Sequence, residues 1–122
     1  MKVKIDTKEK FNVITLQEPI LSANMTEELT QMLLLHLDTD IKNVIVKLGT
    51  VSNIDERAAE SILELQQKFN EQKVSFVICE MQKGVEGIFE KLELLGFLNV
   101  TPTESEAWDI VQMEEIEREF LD

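Results

Sequence analysis

The chain is short of the residues from which most chemical sites are made. Its single cysteine, Cys79, and single histidine, His36, exclude an internal disulfide and any cysteine-rich metal centre. Four glycines, Gly49, Gly84, Gly87 and Gly96, are scattered, and Gly84-Val85-Glu86-Gly87 has too few of them, in the wrong order, to cradle a phosphate. No apolar run approaches the ~18 residues of a membrane span. Met1-Lys2-Val3-Lys4-Ile5-Asp6 lacks the apolar centre of a signal peptide, so the expected address is the cytoplasm. Cations are scarce: 12 against 24 acidic residues give a net charge of -12, which repels nucleic acid and anionic membrane surfaces. The expected partners are therefore proteins, with basic patches on them, and no cofactor is expected. A chain of 122 residues suits a single domain, 1–122, with one hydrophobic core.

What is present is a regular alternation of strand and helix patterns. Val3 and Ile5, a polar turn at Thr7-Lys8-Glu9-Lys10 and the β-branched run Phe11–Leu16 predict an N-terminal hairpin. Asn24 with Glu27 has the spacing of a capping box, followed by Leu29, Met32, Leu33, His36 and Leu37 at helical spacing. Lys42–Leu48 reads as a buried strand, Gly49–Asp55 as a loop, and the next helix carries Ala58, Ile62, Leu65 and Phe69 on one stripe. A second buried strand at residues 74–79 precedes the stripe Val85, Ile88, Phe89, Leu92 and Leu95. Gly96 then stands where a helix C-terminus takes a left-handed residue. Leu98–Thr101 reads as a short strand, and Thr103 with Glu106 opens a last helix carrying Ala107, Ile110 and Val111. The acidic tail Glu114–Glu119 either prolongs that helix or frays from it. The expected fold is α/β, a mainly parallel mixed sheet of four to five strands with about four helices, its first strand antiparallel.

The loop Gly49-Thr50-Val51-Ser52-Asn53-Ile54-Asp55-Glu56-Arg57-Ala58 delivers a helix N-terminus, a place where α/β domains gather anions and partners. It resembles the signature loop of the STAS domain family, named for sulfate transporters and anti-sigma factor antagonists, where an apolar residue and Asp precede Ser-Ser-Gly. Ile54 and Asp55 fit that pattern, and Glu56, Arg57 and Ala58 replace Ser-Ser-Gly. The order of elements is similar to the STAS fold along essentially the full length. The segments Pro19–Leu29, Lys42–Leu48 and Leu92–Leu98 resemble, in order, the strand leading into the first helix, the strand before the signature loop and the late helix-to-strand corner. The tail Met113–Glu119 resembles the ending of small stand-alone members.

The resemblance implies a non-enzymatic interaction module, similar to anti-sigma factor antagonists, that binds an anti-sigma factor or a related serine kinase or phosphatase. In regulatory members a partner kinase phosphorylates the second serine, and Arg57 stands at that position without a hydroxyl. The candidate partner-binding residues are Ser52, Asn53, Asp55, Glu56 and Arg57, with Asp55 shaping the loop and Glu56 and Arg57 setting its charge. The plainer reading is that Asp55 or Asn53 caps the helix while Glu56 and Arg57 are solvated. Ser52 and Ser61 are substitute hydroxyls, His36 reads as a partly buried helix-face residue, and Trp108 reads either as an interface anchor or as packing for the last helix. Other functions compatible with the residues are a structural scaffold or self-associating STAS protein, then a small-ligand module or an enzyme. The expected state is a monomer or weak homodimer.

Overall fold

The computed structural model describes residues 1–121. Seven strands and four α-helices follow one another as β1 (Val3–Thr7), β2 (Asn12–Leu16), β3 (Ile20–Leu21), α1 (Ala23–Leu34), β4 (Val44–Lys47), β5 (Asn53–Ile54), α2 (Glu56–Glu71), β6 (Phe76–Cys79), α3 (Lys83–Lys91), β7 (Val100–Thr101) and α4 (Glu104–Leu121). The main sheet has the order β1-β2-β4-β6-β7, antiparallel at the β1–β2 hairpin and parallel elsewhere. A separate parallel pair, β3 with β5, lies within the loops that precede α1 and α2. The expected α/β architecture with an antiparallel first strand is the one observed.

Alternation along the strands divides the core. Ile14, Leu16, Val44, Val46, Phe76 and Ile78 join the buried faces of α1, α2 and α3 on one side, including the predicted stripe Ala58, Ile62, Leu65 and Phe69. On the other side Phe11, Val13, Ile45, Val77 and Cys79 meet Ala107 and Val111 of α4. Phe69 and Phe76 pack edge to face at 5.3 Å, a geometry worth ~1 kcal/mol beyond its buried area. Gln66, buried in α2, donates to Phe97 O at 2.8 Å and accepts from Asn99 N–H at 2.8 Å, so the approach to β7 is fixed without leaving a polar group unpaired.

Two helix boundaries differ from the sequence expectation. The first helix starts one residue after Ser22, whose extended backbone (φ -95°, ψ 168°) and hydroxyl cap it by accepting from Met25 N–H, so Asn24 lies inside the first turn. Gly96 does not take the left-handed position: Glu93 does, at φ 60°. α3 stops one turn earlier, because Leu94 N–H bonds back to Phe89 O and Glu93 N–H to Glu90 O, the paired bonds of a Schellman ending. α2 ends the same way at Lys73 (φ 59°), with Val74 N–H on Phe69 O.

The acidic tail continues α4 and is latched to the sheet. Glu115 Oε1 accepts from Asn43 at 2.7 Å, Glu114 Oε1 accepts from the Ser75 hydroxyl at 2.6 Å, and Arg118 donates to Ser75 Oγ at 3.0 Å and to Glu115 at 2.8 Å. At the helix start, Glu104 bonds Lys47 at 2.9 Å, and Lys47 also faces Glu80 at 3.6 Å. The Lys47 hydrogen bond holds the Glu104 carboxyl below its ordinary 4.5, and the Asn43 hydrogen bond with Arg118 does the same for Glu115. Both carboxylates favour the folded state above that value, and their contribution is lost as pH falls through the depressed folded values. Glu104→Gln and Glu115→Gln should each flatten the acid limb of stability, so that urea denaturation at neutral pH and at about pH 3 shows a smaller difference than in wild type.

Candidate partner-docking site

The loop after β4 is built by backbone bonds that leave its side chains outward. Val51 and Ile54 are buried and pin it to the core, while Ser52, Asn53, Asp55, Glu56 and Arg57 are exposed. Ser52 N–H and Asn53 N–H both donate to Pro19 O, at 2.8 and 3.3 Å, and Asp55 N–H donates to Leu21 O at 3.2 Å, which extends the β3–β5 pairing. The neighbouring β6–α3 loop closes on it. Gln82 donates to Gly49 O at 2.7 Å, and a Cβ placed on Gly84 would stand 2.6 Å from Ser52 O. Backbone against backbone leaves no room there, so glycine is required by close approach.

Asp55 does two jobs with one carboxylate. Oδ1 accepts from Ala58 N–H at 2.7 Å and caps α2, and Oδ2 accepts from Ala23 N–H at 3.0 Å in the first turn of α1. The cap on α2 was one of the sequence expectations. The second bond was invisible in sequence because Ala23 lies 32 positions away. Asn53, the other candidate cap, turns its Oδ1 to Ile54 N–H at 2.9 Å.

Glu56 and Arg57 occupy the first turn of α2 in different ways. Glu56, favourable beside the positive helix end, pairs with Lys91 of α3 at 3.1 Å, a partner that linear sequence gave no signal for. Arg57 makes no ion pair among the described residues; it lines a groove of about 440 Å3 between α1 and α2 together with Glu27, Ser61, Glu64 and Lys68. Its cation at a helix N-terminus costs ~0.3–1 kcal/mol, offset by Asp55 and Glu56. Ile20, 54% exposed, sits opposite Asn53 in the β3–β5 register and adds an apolar spot to this polar face. Only its place beside the loop, not its residue type, marks it.

The other reactive side chains are engaged or apart. The Ser52 hydroxyl donates to Pro19 O at 3.0 Å and the Ser61 hydroxyl to Arg57 O at 3.0 Å. Burial pushes the Cys79 thiol up to about 12, which keeps it protonated and unreactive at neutral pH. His36 lies in a 3-10 turn after α1, at a shallow cavity of about 300 Å3 that it shares with one acidic residue, Asp40, and its Nδ1 has no hydrogen-bond partner among the described residues. Trp108 packs on Phe11 at 5.0 Å and donates Nε1–H to Glu104 at 2.9 Å, so it seats α4 on the hairpin. Among the described residues no three of His, Cys, Asp and Glu converge as metal ligands, and no helix is long and apolar enough to cross a membrane.

The sequence profile of the STAS domain matches residues 2–107. The chain belongs to the STAS domain family. No protein of curated function matches it by sequence. Among solved structures, this STAS chain is similar to RsbS from Moorella thermoacetica, in a form with one serine replaced by glutamate, with a TM-score of 0.77 at 15% identity over 97% of this chain and 99% of that one. It is also similar to the anti-sigma factor antagonist SpoIIAA in its unphosphorylated form, with a TM-score of 0.72 at 16% identity over 91% and 96% of the two chains. A third similar structure is the murine anion transporter Slc26a9, with a TM-score of 0.70 at 16% identity over 84% of this chain and 18% of that one. At such identities the likeness is one of fold, and the fold alone does not choose between a stand-alone regulator and a transporter's domain.

Substitutions at Asp55 and Gly84 test how the STAS loop is held. Asp55→Asn keeps one acceptor and loses the other, so it should cost about half of what Asp55→Ala costs, the latter being ~1–3 kcal/mol for two caps, by urea denaturation. Gly84→Ala should cost ~1–3 kcal/mol through forced displacement of the Ser52 carbonyl, whereas Gly87→Ala, with open space around it, should be stabilising or neutral.

Proposed function

We propose that this chain is a non-enzymatic interaction module, similar to an anti-sigma factor antagonist, that docks a serine-kinase-type anti-sigma factor through a face that phosphorylation does not switch. The observation that carries the proposal is the first turn of α2. Arg57 stands where regulatory STAS proteins have the phosphorylated serine, and the two hydroxyls nearest to it in sequence, Ser52 and Ser61, each donate to a backbone carbonyl. The binding surface is Ser52, Asn53, Glu56 and Arg57, with Ile20 beside them and Asp55 holding the loop rather than touching the partner.

Electrostatics supports a fixed state. A phosphoserine brings about -1.5 to -2 charges to such a helix end and separates the partners by repulsion and desolvation. Here Glu56 supplies a permanent negative charge tied to Lys91, and Arg57 a permanent positive one, so the pattern of attraction is the same whatever the kinase does. The proposal takes residues 1–122 as one domain acting in the cytoplasm as a monomer or weak homodimer. The engaged hydroxyls and the protonated, buried Cys79 support a role in binding rather than catalysis.

The test is to incubate the chain with ATP and the serine-kinase-type anti-sigma factor encoded nearest to it. Wild type should bind without taking up phosphate, Arg57→Ser should become phosphorylated at residue 57, and charge reversal by Arg57→Glu should weaken binding about tenfold. Absence of binding by both wild type and Arg57→Ser would contradict the anti-sigma reading and leave the scaffold role, and phosphate on Ser52 or Ser61 would contradict the fixed face.

A further inference from the structure

α4 carries apolar side chains on two opposite sides. Its inner side, Ala107 and Val111, is wholly buried on the sheet. The 3.6-residue period sets Met113, Ile116 and Phe120 together on the outer side, 60%, 51% and 86% exposed. A helix lying on a sheet ordinarily turns a polar face outward. This stretch lies beyond residue 107, where the match to the family's sequence profile ends.

The exposed charge that α4 itself sets around the stripe is of one sign. Glu106, Asp109, Glu117 and Glu119 rim it, and all four are exposed. The one basic residue of α4, Arg118, is turned inward and held by Glu115, Ser75 and Asn43. A groove of about 480 Å3 opens beside Ile116, walled by Phe11 and Trp108, with Lys8 and Lys10 on its hairpin side.

We propose that the outer face of α4 docks a basic amphipathic helix of a protein partner. Its apolar residues lie along Met113, Ile116 and Phe120, one large side chain enters the groove beside Trp108, and its lysines or arginines meet the acidic rim. Charge selects this occupant over a second copy of the chain, since pairing α4 against α4 sets acidic rim against acidic rim. Lys8 and Lys10 fix the orientation by turning the partner's cations toward the α4 side. The face lies across the sheet from α1, α2 and α3, and therefore from the signature loop, so both surfaces are free to be occupied at once.

A synthetic peptide of leucine and lysine patterned as an amphipathic helix serves as the probe, with a leucine and glutamate peptide of the same pattern beside it. Binding to the full chain is read by calorimetry and by the emission of Trp108, the only tryptophan. The leucine–lysine peptide should form a one-to-one complex, weakened about tenfold by Ile116→Asp and also weakened by Glu117→Lys, and unchanged by Arg57→Ser. Ile116→Asp adds negative charge, so its effect isolates the apolar contact, and both exposed substitutions should leave the melting temperature unaltered. Equal binding of the leucine–glutamate peptide, or insensitivity to Ile116→Asp, would overturn the proposal. So would a wild-type chain that sediments as a dimer and becomes a monomer on Ile116→Asp, which would give the stripe to a second copy.

Discussion

One carboxylate joins the two helix N-termini on which the proposed docking face depends. Asp55 offers Oδ1 to Ala58 N–H and Oδ2 to Ala23 N–H, so the unpaired donors and positive ends of α1 and α2 converge on a single negative charge. Brought together without it, the two helix ends would leave orphan N–H groups facing each other across the loop. The β3–β5 pair is the backbone half of the same device: Asp55 N–H donates to Leu21 O while the side chain reaches past it to α1. Gly84, packed against Ser52 O, closes the third side.

The scaffold is therefore held by backbone and cap bonds where the residues depart from the family's signature. Replacing a Ser-Ser-Gly pattern with Glu56, Arg57 and Ala58 leaves the cap, the short pairing and the buried Val51 and Ile54 intact. Glu56 and Arg57 point outward and set what the face attracts, while Ala58 is buried in the core stripe. Charge elsewhere follows the same division. The acidic residues of α4 separate into an inner set, Glu104, Glu114 and Glu115, that fastens the helix to Lys47, Ser75 and Asn43, and an outer set that remains in solvent. A net charge of -12 is thus part latch and part surface.

The strands and helices were legible because their signals are local. Val44–Lys47 and Phe76–Cys79 are β-branched and apolar for most of their length, and the Ala58, Ile62, Leu65, Phe69 stripe repeats at helical spacing. Most of what escaped was set by partners distant in sequence. Asn24 and Ser22 both suit a cap, and the choice falls to Ser22 because Asp55 takes the amide of the residue between them. Gly96 suggested the end of α3, but Leu94 N–H reaches Phe89 O only if Glu93 turns left-handed, a conformation that residue type does not announce. The two-residue strands β3 and β5 are too short to show a period, and the Glu56–Lys91 pair joins two helices that only the fold brings together. Within the candidate site the loop and its charged triplet were readable; the double cap, the exposed Ile20 and the Gly84 contact were not.

The most direct measurement is amide hydrogen exchange of Ala23 and Ala58 by NMR in the free chain. Both N–H groups should exchange about tenfold or more slowly than those of Asn24 and Glu56, which sit in the same first turns, and both should lose that protection together in Asp55→Ala. If Ala23 exchanges as fast as Asn24 in wild type, or keeps its protection without Asp55, the carboxylate does not join the two helices and the fixed docking face has lost its basis.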